Sequence, residues 1–270
     1  EEYFARLLGG VEMTRLPSSK SLPAEQELSR IRFVLPSAAV GNIAEKTGIT
    51  VGNLFLSALL FTLNRYTRED TVSVLTVSSG RDGVRLSDTV GMFVKTLPVV
   101  STVNSSARVS DFMRSVQEQL YSTLGNDIYP FTRMSERYAL VPQVNYVFEG
   151  GMEAPLVLDG VCYSPETMAL DAVKMPFSVI VSPSRNGYRV VLEYDASLYS
   201  VRDAELFASA YNGALSNMLA SPDARLGDVS LLDDTERAHV LALSKGRAMQ
   251  YDTEHLLVER MMMYADADPE

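Results

Sequence analysis

A long apolar helical pattern that gives way, after one polar turn, to a β-branched run is the feature that most constrains how this chain can fold. Behind Thr50, a residue type that caps helix N-termini, Val51, Leu54, Phe55, Ala58, Leu59, Thr62 and Leu63 recur every three or four residues. Asp70 closes the polar turn, and Thr71-Val72-Ser73-Val74-Leu75-Thr76-Val77 is then too short for a stable helix and rich in residues that fit a pleated surface. A helix with so wide an apolar face needs a sheet to cover it, so the two together predict a layered α/β architecture.

The rest of the chain extends that reading. Strands are predicted at 30–36, 93–100, 143–148, 177–183 and 188–194. Arg185-Asn186-Gly187 joins the last two, because an Asn-Gly pair tolerates the positive φ angles of two-residue hairpins. Helices are predicted at 37–47, at 109–124 behind Ser110 as cap, and at 201–220, where Leu206, Phe207, Ala210, Leu215 and Leu219 point inward and Pro222 stops the helix. The chain opens inside a helix pattern, with Tyr3, Phe4, Leu7 and Leu8 on one face before Gly9-Gly10, as an excised piece of a longer polypeptide would. From Ser230 onward the character changes: a short acidic helix starts, 245–252 is polar and linker-like, and 254–265 is amphipathic.

Composition narrows the function. A hydrophobic fraction of 46% with 21% charged residues is that of a soluble globular protein, and no apolar run is long enough to cross a membrane. This predicts a cytoplasmic protein. The formal charge of -10 argues against a nucleic-acid partner, which requires a basic surface to displace counterions. Cys162 is the only cysteine, so there is no internal disulfide and no cysteine metal cluster, and it reads as a packed or half-exposed structural residue. The only histidines, His239 and His255, lie in charged surroundings and read as solvated surface, and no metal site is expected. Asp82-Gly83 and Asp159-Gly160 read as turns.

Two motifs carry a resemblance. Val90-Gly91-Met92-Phe93-Val94-Lys95-Thr96-Leu97-Pro98 and Asn126-Asp127-Ile128-Tyr129-Pro130-Phe131, in that order and spacing, resemble the Gly-x-Phe-Val-Asn-Thr-Leu and Asn-Gln-Asp-Tyr-Pro-Phe elements of the condensation domains of non-ribosomal peptide synthetases. Lys95 stands where asparagine is usual. Ser78-Ser79-Gly80-Arg81 is similar to the family's Gly-Arg loop, Tyr3-Phe4 to its aromatic-pair helix, and Glu193-Tyr194-Asp195 with Leu198-Tyr199 to its closing strand and turn. Epimerisation domains share the fold, but the two motifs favour condensation. The His-His-x-x-x-Asp-Gly catalytic motif has no counterpart in this chain.

The resemblance therefore implies the second, C-terminal lobe of a condensation domain over 1–232, and over 233–270 a linker toward an adenylation domain. Its fold would be a chloramphenicol-acetyltransferase-like (CoA-dependent acyltransferase-like) lobe, a mixed β-sheet flanked by helices. Such domains form amide bonds between carrier-protein-tethered thioesters in a tunnel between two lobes, with the catalytic histidine on the first. Ser79, Gly80, Arg81, Gly91, Phe93 and Thr96 become candidates for the tunnel wall, and Asn126, Asp127, Tyr129, Pro130 and Phe131 for the scaffold behind it; no catalytic residue is assigned. Arg81 either lines the tunnel floor or ties its loop to Asp82 or Asp88, and Thr96 either donates a hydrogen bond into the tunnel or is simply a β former. No cofactor is bound directly, since carrier proteins deliver the phosphopantetheine arm. The implied partners are the missing N-terminal lobe, carrier proteins and an adenylation domain, and the isolated fragment could form a homodimer through its bared face. The other reading is a stand-alone, non-catalytic platform for docking carrier proteins or other partners.

Overall fold

Period-two alternation of apolar residues builds one face of a six-stranded sheet, and the helices grow from the segments between its strands. The computed structural model describes residues 1–18, 26–81, 86, 89–150, 156–163, 172–247 and 255–268. These fall into two units, Glu1–Leu232 and Asp233–Glu270.

The first unit runs α1 (Glu2–Leu8), β1 (Leu28–Pro36), α2 (Ser37–Thr47), α3 (Val51–Thr67), β2 (Thr71–Ser78), β3 (Lys95–Thr102), α4 (Val109–Leu124) and α5 (Phe131–Tyr138). It continues with β4 (Val144–Phe148), β5 (Leu156–Leu158), β6 (Val161–Tyr163), β7 (Phe177–Ser184), β8 (Gly187–Asp195) and α6 (Val201–Ala220). The large sheet has the order β1-β8-β7-β4-β2-β3, and β5 and β6 form a separate hairpin. β4 lies parallel to both β2 and β7 and the remaining pairs are antiparallel, so the sheet is mixed. Val72 and Val74, Val144 and Tyr146, Phe177, Val179 and Val181, and Val190, Leu192 and Tyr194 fill the main core with the buried sides of α3, α4 and α6. The other face of β1, β8 and β7 mixes polar and apolar residues: Arg30 is bonded to Glu193 at 2.7 Å and Arg189 to Ser182 at 3.2 Å, and Val34, Val191 and Ile180 share it.

Helix α3 is more deeply placed than a one-faced helix: every residue from Asn53 to Leu63 is buried. Thr50 does occupy its N-cap, but the hydroxyl accepts from the Asn53 side chain at 2.8 Å, and Gln117 of α4 accepts from the Thr50 N–H at 2.8 Å. Ser110 does not cap α4. Arg108 holds that position, and the N–H groups of Val109 and Ser110 donate to the carbonyls of Ala224 and Pro222, so a neighbouring turn replaces the side-chain cap. In α6, Leu206 faces outward while Phe207, Ala210, Leu215 and Leu219 are buried, because the inward stripe runs through Phe207, Tyr211 and Ala214.

The β7–β8 hairpin forms as expected, but its two loop residues are Arg185 and Asn186, neither of which has positive φ. The positive angle, φ 140, falls on Gly187, where a Cβ would lie 1.9 Å from the Leu35 carbonyl oxygen; the approach of β1 demands this glycine. Asp159-Gly160 is a turn, joining β5 to β6 with φ 49 and φ 77, whereas Asp82-Gly83 lies outside the described residues. Cys162 is exposed on β6 rather than packed, because the small hairpin buries neither of its faces.

In the second unit, α7 (Asp234–Ser244) starts behind Asp233, which forms a capping box with Glu236, four residues after the Ser230 start that composition suggested. α8 (Leu257–Ala267) follows, and neither helix buries a residue. His239 and His255 are both exposed. Most of the linker-like stretch 245–252 lies outside the described residues.

Candidate functional site

The two motif segments meet where β2 ends and β3 begins. Ser78 and Lys95 are register partners, so the loop that leaves β2 returns to the sheet beside its starting point. Gly80 makes the tight return possible: its φ is +62, and a Cβ there would sit 2.0 Å from the Phe93 carbonyl oxygen. Only a residue without a side chain lets these two backbones touch.

Arg81 then holds the loop closed. Its guanidinium donates to the carbonyls of Leu86 at 2.7 Å, Thr89 at 2.6 Å and Gly91 at 3.1 Å, and lies 4.8 Å from the centre of the Phe93 ring. Its described partners are thus carbonyls and an aromatic face, a loop tie of a different kind from the carboxylate pairing considered above. Asp82 and Asp88 lie outside the described residues. Phe93 precedes β3 rather than opening it. Thr96, half-buried, pairs across the sheet with Val77.

Around this tie the surface is apolar and open. Val90 is 99% exposed and Met92 87%, and Ile128 in the second motif is 88% exposed. Isolated exposed apolar residues are ordinary, and these three are notable for lying within the two motif segments.

The second motif is held from below. Tyr129 stacks on Phe4 of α1 with ring centroids 5.9 Å apart, and Phe131 packs in the same small core with Leu97, Val100 and Met134. Pro130 is the N-cap of α5, a helix not among the elements predicted above. The spacing of Phe131, Met134 and Tyr138 on one helical face was the available signal. Asn126 donates to the Ser122 carbonyl and finishes α4.

The link between the motifs is an ion pair that neither motif announces alone: Lys95 Nζ donates to Asp127 Oδ1 at 2.8 Å. Lys95 thus supplies a polar contact where the resemblance expects asparagine. Ser79, Gly80, Arg81, Gly91, Phe93, Asn126 and Asp127 are therefore brought into one region, and Tyr129, Pro130 and Phe131 anchor it to the core. Among the described residues no group of three or more His, Cys, Asp or Glu could hold a metal ion. Residues 1–232 contain no histidine. What the arrangement can do is shape a wall and position backbone groups.

Comparison with known proteins bears on the family and the fold. The profile of the condensation domain matches residues 1–241. The chain is 22% identical to bacitracin synthase 3 of Bacillus licheniformis over 286 residues, which takes in 100% of this chain and 4% of that protein. It is 24% identical to tyrocidine synthase 2 of Brevibacillus parabrevis, over 100% of this chain and 8% of the relative. The chain thus spans less than a tenth of each of these proteins. Among solved structures it is similar to a four-domain nonribosomal peptide synthetase bound to AMP and glycine, with a TM-score of 0.81 and 21% identity over 98% of this chain and 22% of that one. It is also similar to the X-domain solved in complex with OxyB from teicoplanin biosynthesis, with a TM-score of 0.73 and 20% identity over 86% of this chain and 55% of that one. The mixed sheet flanked by helices is the CoA-dependent acyltransferase-like fold of these structures, and the chain belongs to the condensation-domain family of nonribosomal peptide synthetases.

Proposed function

We propose that residues 1–232 are the C-terminal lobe of a condensation domain, forming one wall of a tunnel in which an acceptor amine attacks a donor thioester. The observation that carries this is the joining of the two motif segments at the β2–β3 end by Arg81 and by the Lys95–Asp127 pair, beside exposed Val90, Met92 and Ile128. In the reaction the amine nitrogen bonds to the thioester carbon, the carbon–sulfur bond breaks, and the phosphopantetheine thiol leaves on its carrier protein. The amine proton passes to a base on the other lobe, because this one has no histidine. A thioester is already activated, so orientation of the two substrates accounts for a large part of the acceleration, and a rigid wall contributes to it directly.

Residues 233–270 are the linker toward an adenylation domain, a reading supported by the likeness to the four-domain synthetase over 98% of this chain. The partners are the first lobe, carrier proteins and the adenylation domain, in the cytoplasm, and a homodimer of the isolated chain would compete for the face that the first lobe covers. The likeness to the X-domain favours a second reading, a platform that docks a partner without chemistry. Loaded carrier proteins decide between them. The isolated chain gives no amide product, whereas the full-length polypeptide gives product if the condensation reading is right and none if the chain serves only as a platform.

A further inference from the structure

Asp127 is a carboxylate in an awkward position. Its side chain is 8% exposed, Oδ1 is held by Lys95, and Oδ2 is buried without a protein partner. A buried carboxylate is costly unless paired, and among the described residues Lys95 is the cation paired with it. The Lys95 stem is also placed by the loop: a Cβ on Gly80 would lie 3.4 Å from Lys95 Cε, so the lysine runs beneath the bare Gly80 backbone on its way to Asp127. Two separate chain segments thus meet at one side chain. They are the exit of β2 at Gly80 and the α4–α5 connection at Asp127.

We infer that Lys95 is a positioning residue, a charged fastener that ties the exit of β2 at Gly80 and the start of β3 to the α4–α5 connection and so fixes the tunnel wall of this lobe. Asparagine at this position could reach a neighbouring backbone but could not neutralise Asp127, so the substitution of lysine and the burial of the aspartate form one device. The fastening itself stands on geometry; its value to catalysis rests on the condensation reading above.

Hydrogen exchange on the full 270-residue chain tests the fastening. In Lys95→Met and in Asp127→Asn, amides of 79–81, 90–96 and 126–128 exchange about tenfold faster while the strands β7 and β8 do not change, and Lys95→Arg keeps the slow rates. Asp127→Asn preserves shape and so stays informative should Lys95→Met fail to fold. Unchanged exchange in Asp127→Asn overturns the inference whatever the chemistry does. The same variants in the full-length synthetase test the positioning: kcat falls about tenfold with KM within about twofold, and Lys95→Arg restores it. Faster exchange with unaltered kcat leaves the fastener intact, overturns its positioning role, and counts against this wall bordering the reaction.

Discussion

At the scale of single residues, the two glycines of the site have different reasons to exist. Both have positive φ, +62 at Gly80 and +157 at Gly91, but a Cβ at Gly80 would also strike backbone, whereas one at Gly91 would meet only the movable Phe93 ring at 3.2 Å. Gly80→Val therefore destabilises the chain by about 3 kcal/mol or more, since the side chain meets both a left-handed angle and an occupied position, whereas Gly91→Val costs about 1–2 kcal/mol through its backbone angle alone. Urea unfolding of the two variants reads this difference directly, and equal losses would remove the distinction. In the full-length synthetase, Gly91→Val lowers turnover more than it lowers stability if its loop borders the tunnel. The motif residues were legible in the sequence because their order and spacing are specific. The Lys95–Asp127 contact was not, because the rest of β3, all of α4 and the turns between separate the partners by 32 positions, and only the tertiary return of α4 brings them to 2.8 Å.

At the scale of elements, α3 is the member on which the others are hung. The Tyr211 hydroxyl of α6 donates to the Phe55 carbonyl at 3.0 Å, and that of Tyr146 on β4 donates to the Gly52 carbonyl at 2.6 Å. Burial pushes the pKa of both phenols up, with Tyr211 adding to the rise at Tyr146. An unfolded tyrosine loses its proton near pH 10, while these two keep theirs in the folded state. Their stabilisation is therefore complete below that pH and falls as pH rises beyond it, by about 1.4 kcal/mol per pH unit for each. Urea midpoints measured from pH 9 to pH 11.5 show this decline, and Tyr211→Phe flattens it by removing one titrating group. The same variant costs about 1 kcal/mol at neutral pH through the lost hydrogen bond. A slope identical in Tyr211→Phe would mean that this phenol is not held neutral. Periodicity found most elements because their apolar stripes are long. It missed α5, which spans only Phe131–Tyr138 and follows a proline that reads as a turn, and the β5–β6 strands, which are three residues each. Short elements contribute too few periods to be distinguished from loops.

For the whole molecule, the boundary at Leu232 separates a unit with a deep core from one in which neither helix buries a residue. Limited proteolysis at low trypsin concentration therefore cuts first at Lys245 or Arg247 and leaves the first unit whole, because cleavage follows local opening. Cleavage within β2 or β3 at a comparable rate would contradict this. The sheet order carries one more consequence, for synthesis on the ribosome. β1 is an edge strand whose one partner is β8, with Leu28 opposite Asp195 and Pro36 opposite Gly187. At roughly 5–20 residues per second, β1 waits about 8–30 s between its own emergence and that of its partner. Throughout that interval it is an extended segment with both edges open, beside many identical nascent chains on a polysome. Arg30 and Arg32, which add little apolar burial to the finished sheet, are then the charges that discourage one copy's β1 from pairing with another's.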